Sequence, residues 1–352
     1  MGALILHIPL FAYPVLRLCS WLDLDWWLTT IIFIPTFFGQ IFSRAYLRRN
    51  RSRWAEWLRW LADLWLGASL PLVCVLLLFE VAVFTLDMSR ATAAGWVIGI
   101  SVALAFVGFL NASIPHVTHV RLRSHKLDRT LRFVQLSDVH VGSRSLAFLE
   151  GVIHRVNQLQ PDFVCITGDF TDSSALTANQ LRSLKSVVGP IYFSIGNHEK
   201  YVELPVVEET LTDVGVQVLR NRSVSVDALQ IIGIDDMDDA QQVAREMANM
   251  QVDEHRYTIL LYHRPRGLQA AADAGVDLML SGHTHGGQII PFNLVVNRVF
   301  EHNKGLYQHG DCLLYVSTGT GTWGPVMRLG TRSEITLFEV EPSALQSKIT
   351  PS

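Results

Sequence analysis

The stretch Leu131-Arg132-Phe133-Val134-Gln135-Leu136-Ser137-Asp138-Val139-His140 decides the fold of the larger part of this chain. A short apolar run reads as a strand, and it stops at an Asp-x-His pair whose side chains can bind a divalent cation. The pattern then recurs. Phe163 to Thr167 precedes Gly168-Asp169-Phe170-Thr171-Asp172, and Ile191 to Ile195 precedes Gly196-Asn197-His198-Glu199. Thr258 to Tyr262 precedes His263, and Asp277 to Leu280 precedes Gly282-His283-Thr284-His285. Leu146 to Leu159 and Leu176 to Val187 carry the spacing of amphipathic helices, and Leu229 to Ile234, Leu313 to Val316 and Glu334 to Val340 read as further strands. Strands alternating with helices give an α/β class, in which residues on loops at strand ends converge on one edge.

Carboxylate, amide and imidazole groups suit hard and borderline divalent cations, and no cysteine lies inside these blocks. Two adjacent cations suit phosphoryl chemistry, where they neutralise charge growing on the phosphorus oxygens. An isolated Asp-x-His is ordinarily a surface turn, and Gly-His-Thr-His alone an ordinary loop. Their joint occurrence at strand ends makes the metal reading much the stronger one.

In order and spelling the blocks resemble the calcineurin-like metallophosphoesterases over roughly residues 130 to 340. Gly286-Gly287-Gln288 and the Ser317-to-Pro325 stretch resemble the membrane-anchored bacterial branch, with its phosphodiesterases and UDP-diacylglucosamine pyrophosphatases. The resemblance implies a two-sheet sandwich flanked by helices and two divalent metal ions, with Mn, Fe, Zn and Mg all open. It implies that Asp138, His140 and His285 bind one ion and that Asn197, His263 and His283 bind the other. Asp169 is the implied bridge, and His198 the implied catalytic residue, touching a phosphate oxygen or protonating the leaving group. Asp172 reads as orienting a ligand or capping a helix. Arg328 and Arg332 read as surface residues or as phosphate contacts.

Composition divides the chain. Its 352 residues are 49% hydrophobic and only 17% charged, with the apolar excess in the first third. Apolar stretches run from about Ala3 to Leu16, Trp26 to Phe42, Leu61 to Leu86 and Ala93 to Ile114, giving an expectation of about four α-helical transmembrane spans. The first, with His7 and Pro14, reads as a span or a re-entrant piece. Arg44, Arg48, Arg49, Arg51, Arg53 and Arg59 crowd the link between the second and third stretches, and Arg121, Arg123, Lys126 and Arg129 follow the fourth. The positive-inside rule puts both links, and the domain after them, in the cytoplasm, as in a multi-pass inner (cytoplasmic) membrane protein. The expected bounds are a transmembrane region at 1–114, a basic linker at 115–130, a metallophosphoesterase domain at 131–341 and a tail at 342–352. His116, His119 and His125 read as part of a solvated linker rather than as a metal site. Cys19, Cys74, Cys165 and Cys312 are far apart and read as reduced, buried thiols.

A net charge of −3 offers no basic footprint, so no nucleic-acid partner is expected. The expected function is a membrane-anchored phosphohydrolase or phosphodiesterase acting through a metal-activated hydroxide. The anchor fits an amphipathic lipid or nucleotide-linked lipid substrate, and equally a general phosphodiesterase merely held at the membrane. The alternative is a non-enzymatic membrane scaffold or transporter component with a regulatory phosphoesterase module. Glu80, the clearest ionisable residue within an apolar stretch, is what would favour it. Asp235, Asp236, Asp238 and Asp239 read as a turn and helix N-terminus.

Overall fold

The computed structural model describes residues 6–47 and 52–343, so Arg48, Arg49, Arg51 and nearly all of the expected tail lie outside the described residues. The chain forms two compact units. The first comprises residues 1–113 with segments 289–294 and 324–330, and the second holds the remainder.

In the first unit, a π-helical turn Ile8–Ala12 leads into α1 (Tyr13–Trp21), followed by α2 (Trp26–Phe42), α3 (Arg53–Thr85) and α4 (Arg90–Ser113). Among the described residues, three helical stretches are long and apolar enough to cross a membrane: Trp26–Leu47, Arg53–Thr85 and Arg90–Ser113. The first apolar stretch begins outside the described residues; from residue 6 it runs as one helix to Trp21, π-helical over Ile8–Ala12. Trp21, Leu72, Leu76, Ala93 and Val97 pack together as the core of this bundle. Glu80 is paired within it, accepting from Arg17 Nη2 at 2.8 Å and from Tyr13 Oη at 3.2 Å.

Segment 324–330 is built into the same unit. Met327 is fully buried, and a Cβ at Gly108 would stand 2.6 Å from its Cγ. The Arg328 backbone amide donates to Gly108 O at 2.8 Å. Arg328 itself is buried, so the sequence reading of a surface or phosphate-facing arginine is corrected at this position.

The second unit contains two six-stranded mixed sheets. In chain order the strands are β1 (His116–Ser124), β2 (Leu131–Leu136), β3 (Phe163–Thr167), β4 (Ile191–Ser194), β5 (Val216–Val218) and β6 (Arg222–Val226). They continue as β7 (Leu229–Gly233), β8 (Tyr257–Leu261), β9 (Leu278–Ser281), β10 (Gly305–His309), β11 (Cys312–Val316) and β12 (Glu334–Pro342). One sheet runs β1-β12-β2-β3-β4-β5 and the other β10-β11-β9-β8-β7-β6. Phe133, Phe163, Tyr192, Ile259, Leu280 and Phe338 fill the space between them, with Phe133 stacked at 4.9 Å on Phe163 and 4.8 Å on Phe338. The outer face of the first sheet is covered by α5 (Leu146–Gln158) and α6 (Leu204–Asp213), and that of the second by α7 (Gln242–Met247) and α8 (Leu268–Asp273). A further helix, α9 (Phe292–Val299), precedes β10.

Two readings change. Residues 116–124, read as part of a linker, form β1 in parallel register with β12, while His116, His119 and His125 stay exposed. Residues 176–187 make turns and a 3-10 segment, Arg182–Ser186, instead of an α-helix. There Gln180 Oε1 accepts from the amide and the hydroxyl of Thr177 while the Gln180 amide donates back to Thr177 Oγ1, a capping box whose turn runs on only as 3-10 helix. All four cysteines are free.

Candidate metal centre

β2, β3 and β4 are mutually parallel, as are β8 and β9, and the residues of interest follow their carboxyl ends. Gln135 joins the two sheets just below, its Nε2 donating to Thr167 Oγ1 and to Ser281 O, each at 2.9 Å.

The loops turn sharply at these ends. Asp138, His140, Asp169, His283 and His285 all have positive φ, between 50° and 72°. That conformation costs of order 1 kcal/mol or more for a residue with a side chain, and it persists where surrounding structure enforces it. Close approach supplies the enforcement. A Cβ at Gly196 would stand 2.2 Å from Asp169 Oδ1, and one at Gly282 1.9 Å from Ser137 Oγ and 2.2 Å from Asp138 Oδ2. Only glycine fits between these loops.

The matched side chains gather into two groups, and a third, of His140, Asp172 and His198, shares His140 with the first. Asp138, His140 and His285 form one, with His285 Nε2 3.3 Å from Asp138 Oδ1 and 3.2 Å from His140 Nε2. Asp169, His263 and His283 form the other, with His263 Nε2 3.1 Å from Asp169 Oδ2 and 3.2 Å from His283 Nδ1. Both Asp169 oxygens are engaged, since Oδ1 accepts the His198 amide at 2.8 Å. Asn197 lies at the β4 end between Gly196 and His198. Its Oδ1 is buried and accepts no hydrogen bond.

Asp172 holds two imidazoles, its Oδ1 lying 2.9 Å from His140 Nδ1 and 2.6 Å from His198 Nδ1. His198 keeps a partly open face, with 18% of its side chain exposed. Asp172 therefore takes the orienting role rather than the helix cap.

Electrostatics show what the cluster demands. Burial opposes protonation of His140, yet Asp172, Asp169 and Asp138 outweigh it and raise its pKa to about 9. Burial likewise opposes protonation of His263, and Asp169 with Asp138 raises it to about 10. His283 goes the other way, lowered to about 3 by burial and by the neighbouring His263. Asp169 and Asp172 stay below the usual carboxylate range despite burial, because the histidines beside them favour the anion. A cluster that draws protons onto buried imidazoles would be equally served by divalent cations, and its N and O donors suit them.

Glu199, the last residue of the Gly196-Asn197-His198-Glu199 block, is a site residue whose role the sequence does not announce. It is fully buried and accepts the amides of Asp169 at 2.9 Å, Gly196 at 2.8 Å and Thr171 at 3.0 Å. Burial and Asp169 raise its pKa to about 7, against the pull of those amides. In the acidic cluster after β7, Asp239 accepts the Gln241 amide at 2.9 Å at the start of α7, as a turn and helix N-terminus would, while Asp235, Asp236 and Asp238 are taken up by arginines. Asp236 pairs with Arg264 at 2.7 Å, Asp238 with Arg264 and Arg266 at 3.1 Å each, and Arg220 Nη2 with Asp235 at 2.6 Å. The Arg264 and Arg266 pairs brace the segment immediately after His263.

The family pattern described as calcineurin-like phosphoesterase matches residues 131–287. An uncharacterized metallophosphoesterase of Helicobacter pylori is 34% identical, over 65% of this chain and 64% of its own length. A bovine (Bos taurus) transmembrane protein with metallophosphoesterase domain is 35% identical, over 72% of this chain and 64% of its own length. The chain thus spans a little under two thirds of the length of these two relatives. An uncharacterized metallophosphoesterase of Bacillus subtilis is 30% identical over 67% of this chain and is covered along 96% of its length. With that likeness, and with the two-sheet fold carrying the matched residues at its strand ends, the chain belongs to the calcineurin-like metallophosphoesterases.

Proposed function

We propose that the chain is a membrane-held hydrolase that cleaves a phosphoester or pyrophosphate bond with two divalent metal ions. Asp138, His140 and His285 would hold one ion, Asn197, His263 and His283 the other, and Asp169 would serve both. The observation that carries this reading is Asn197 Oδ1, a buried amide oxygen beside the cluster with nothing to accept from. When bound, such ions polarise phosphoryl oxygens and lower the pKa of water.

The chain's own residues supply the rest. Asp172 fixes His198 through Nδ1, which leaves Nε2 to touch a phosphate oxygen or hand a proton to the leaving group. Glu199 fixes the backbone that carries Asp169 and Asn197. The metal, among Mn, Fe, Zn and Mg, is set by cellular supply as much as by these ligands.

The three apolar helices hold the domain at a bilayer, and the arginine-rich link puts it on the cytoplasmic side of the inner membrane. There it meets amphipathic substrates, of which lipids and nucleotide-linked lipids are the class we favour. The test is a panel of phosphomonoesters, phosphodiesters and nucleotide-linked lipids, given to the purified full chain loaded in turn with each of the four metals. Hydrolysis of at least one class is expected. No hydrolysis of any class with any metal would sink the reading.

A further inference from the structure

The Gly282-to-Gln288 segment carries two of the histidines, and exposed apolar groups flank both of its ends. On one side, Phe300 sets its ring edge-on against His283, with centroids 5.5 Å apart. The amide of Phe300 donates to Val296 O in α9, and Thr284 Oγ1 donates to Asn303 O at 2.6 Å. The chain around Phe300 is thereby tied to the histidine segment. Val295 and Val299 stand on α9 next to it, 52% and 62% exposed. On the other side, Trp323 is bonded through its backbone to Gln288 in both directions, each at 3.0 Å, and its side chain is 58% exposed.

Apolar exposure concentrated around one site marks a binding surface, whereas single scattered residues would not. Even with Phe292 and Leu294 of α9, which are also exposed, these side chains are far fewer than the about 20–30 residues a side that a stable protein partner engages. They suffice for a hydrocarbon chain. A phosphate positioned at the histidines leaves its ester substituent to run out over this rim, where Val295 and Val299 offer no hydrogen bond, Trp323 only its indole N–H, and none of the three a charge.

Resting on the metallohydrolase reading above, we propose that Val295, Val299 and Trp323 recognise an alkyl or acyl chain on the substrate's phosphorus ester. This makes them specificity residues, while the reacting bond is left to the histidine and carboxylate cluster.

The test uses the full chain in detergent and a series of ethyl, butyl, hexyl and octyl phosphodiesters sharing one leaving group. In the parent, kcat/KM should climb with chain length, by up to about four-fold per methylene that reaches the rim. The paired change Val295→Ser and Val299→Ser, and separately Trp323→Ser, should flatten that climb while leaving the ethyl ester within about two-fold of the parent. Val226→Ser, another exposed apolar position on β6, should leave the climb intact. A flat series in the parent, or a climb unchanged in the rim variants, would overturn the proposal. Calorimetric binding of the matching non-hydrolysable alkylphosphonates reads the same dependence without turnover. Chain-length-dependent binding that the rim variants abolish, with no hydrolysis of any ester, would sink the hydrolase reading and leave the rim assignment standing. Binding independent of chain length would remove the rim assignment.

Discussion

His198 Nδ1 lies 2.6 Å from Asp172 Oδ1, so the exposed edge of this imidazole is aimed by a carboxylate that also holds His140. Replacing His198 with Ala should cut turnover by about 10²–10⁴-fold, the range for a lost general acid, with metal content unchanged. Loss of one ion would instead make His198 a ligand. Asp172→Ala should cost about 10–100-fold in activity or metal affinity, as partners of ligands usually do, and a neutral outcome there would remove its orienting role.

Two glycine substitutions should diverge. Gly282→Ala places a Cβ within 2.2 Å of Asp138 Oδ2, so it should strip metal and activity together. Gly151 sits exposed in α5 with nothing within 4 Å of a Cβ, and Gly151→Ala should stabilise by about 0.5–1 kcal/mol without touching turnover. Full metal content in Gly282→Ala would contradict the close approach of the loops.

Glu199→Ala leaves three buried amides without an acceptor. At about 1–3 kcal/mol for each such group, the loss should be at least about 3 kcal/mol, read as a lowered thermal midpoint of the detergent-solubilised chain. An unshifted midpoint would mean that water replaces the carboxylate at little cost.

A reporter fused after Ser352 should behave as cytoplasmic. By the positive-inside rule both basic links would lie on the cytoplasmic side whether three or four stretches cross, because α3 and α4 would leave and return as a pair. A signal from the outer side would reverse the orientation and remove nucleotide-linked lipid precursors from the substrates.

The strands legible in the sequence were those carrying ligands and core. β2 and β3 match their expected bounds, because a buried parallel strand writes itself as an apolar run. The strands that escaped were β1, β5, β6 and β10, the four edges of the two sheets. β6 and β10 are mostly exposed, so Arg222, Ser223 and Ser225 or Gln308 and His309 dilute any apolar signal. The site showed the same division. Aspartates and histidines in ordered blocks announce cation chemistry, whereas the work of Glu199 lies in three backbone amides that only the folded loops bring together. Its place in the Asn-His-Glu block was the one available signal. The fate of Arg328 could not be read either, since it depends on segment 324–330 packing with Gly67 and Gly108.

In the proposed centre Asp169 serves two metal ions at once. The most direct measurement is metal stoichiometry and hydrolysis in the purified full chain, compared between the parent and Asp169→Ala. Two divalent ions per chain are expected in the parent, with fewer in the variant and hydrolysis abolished. Near-normal turnover in Asp169→Ala with unchanged metal content would contradict the account.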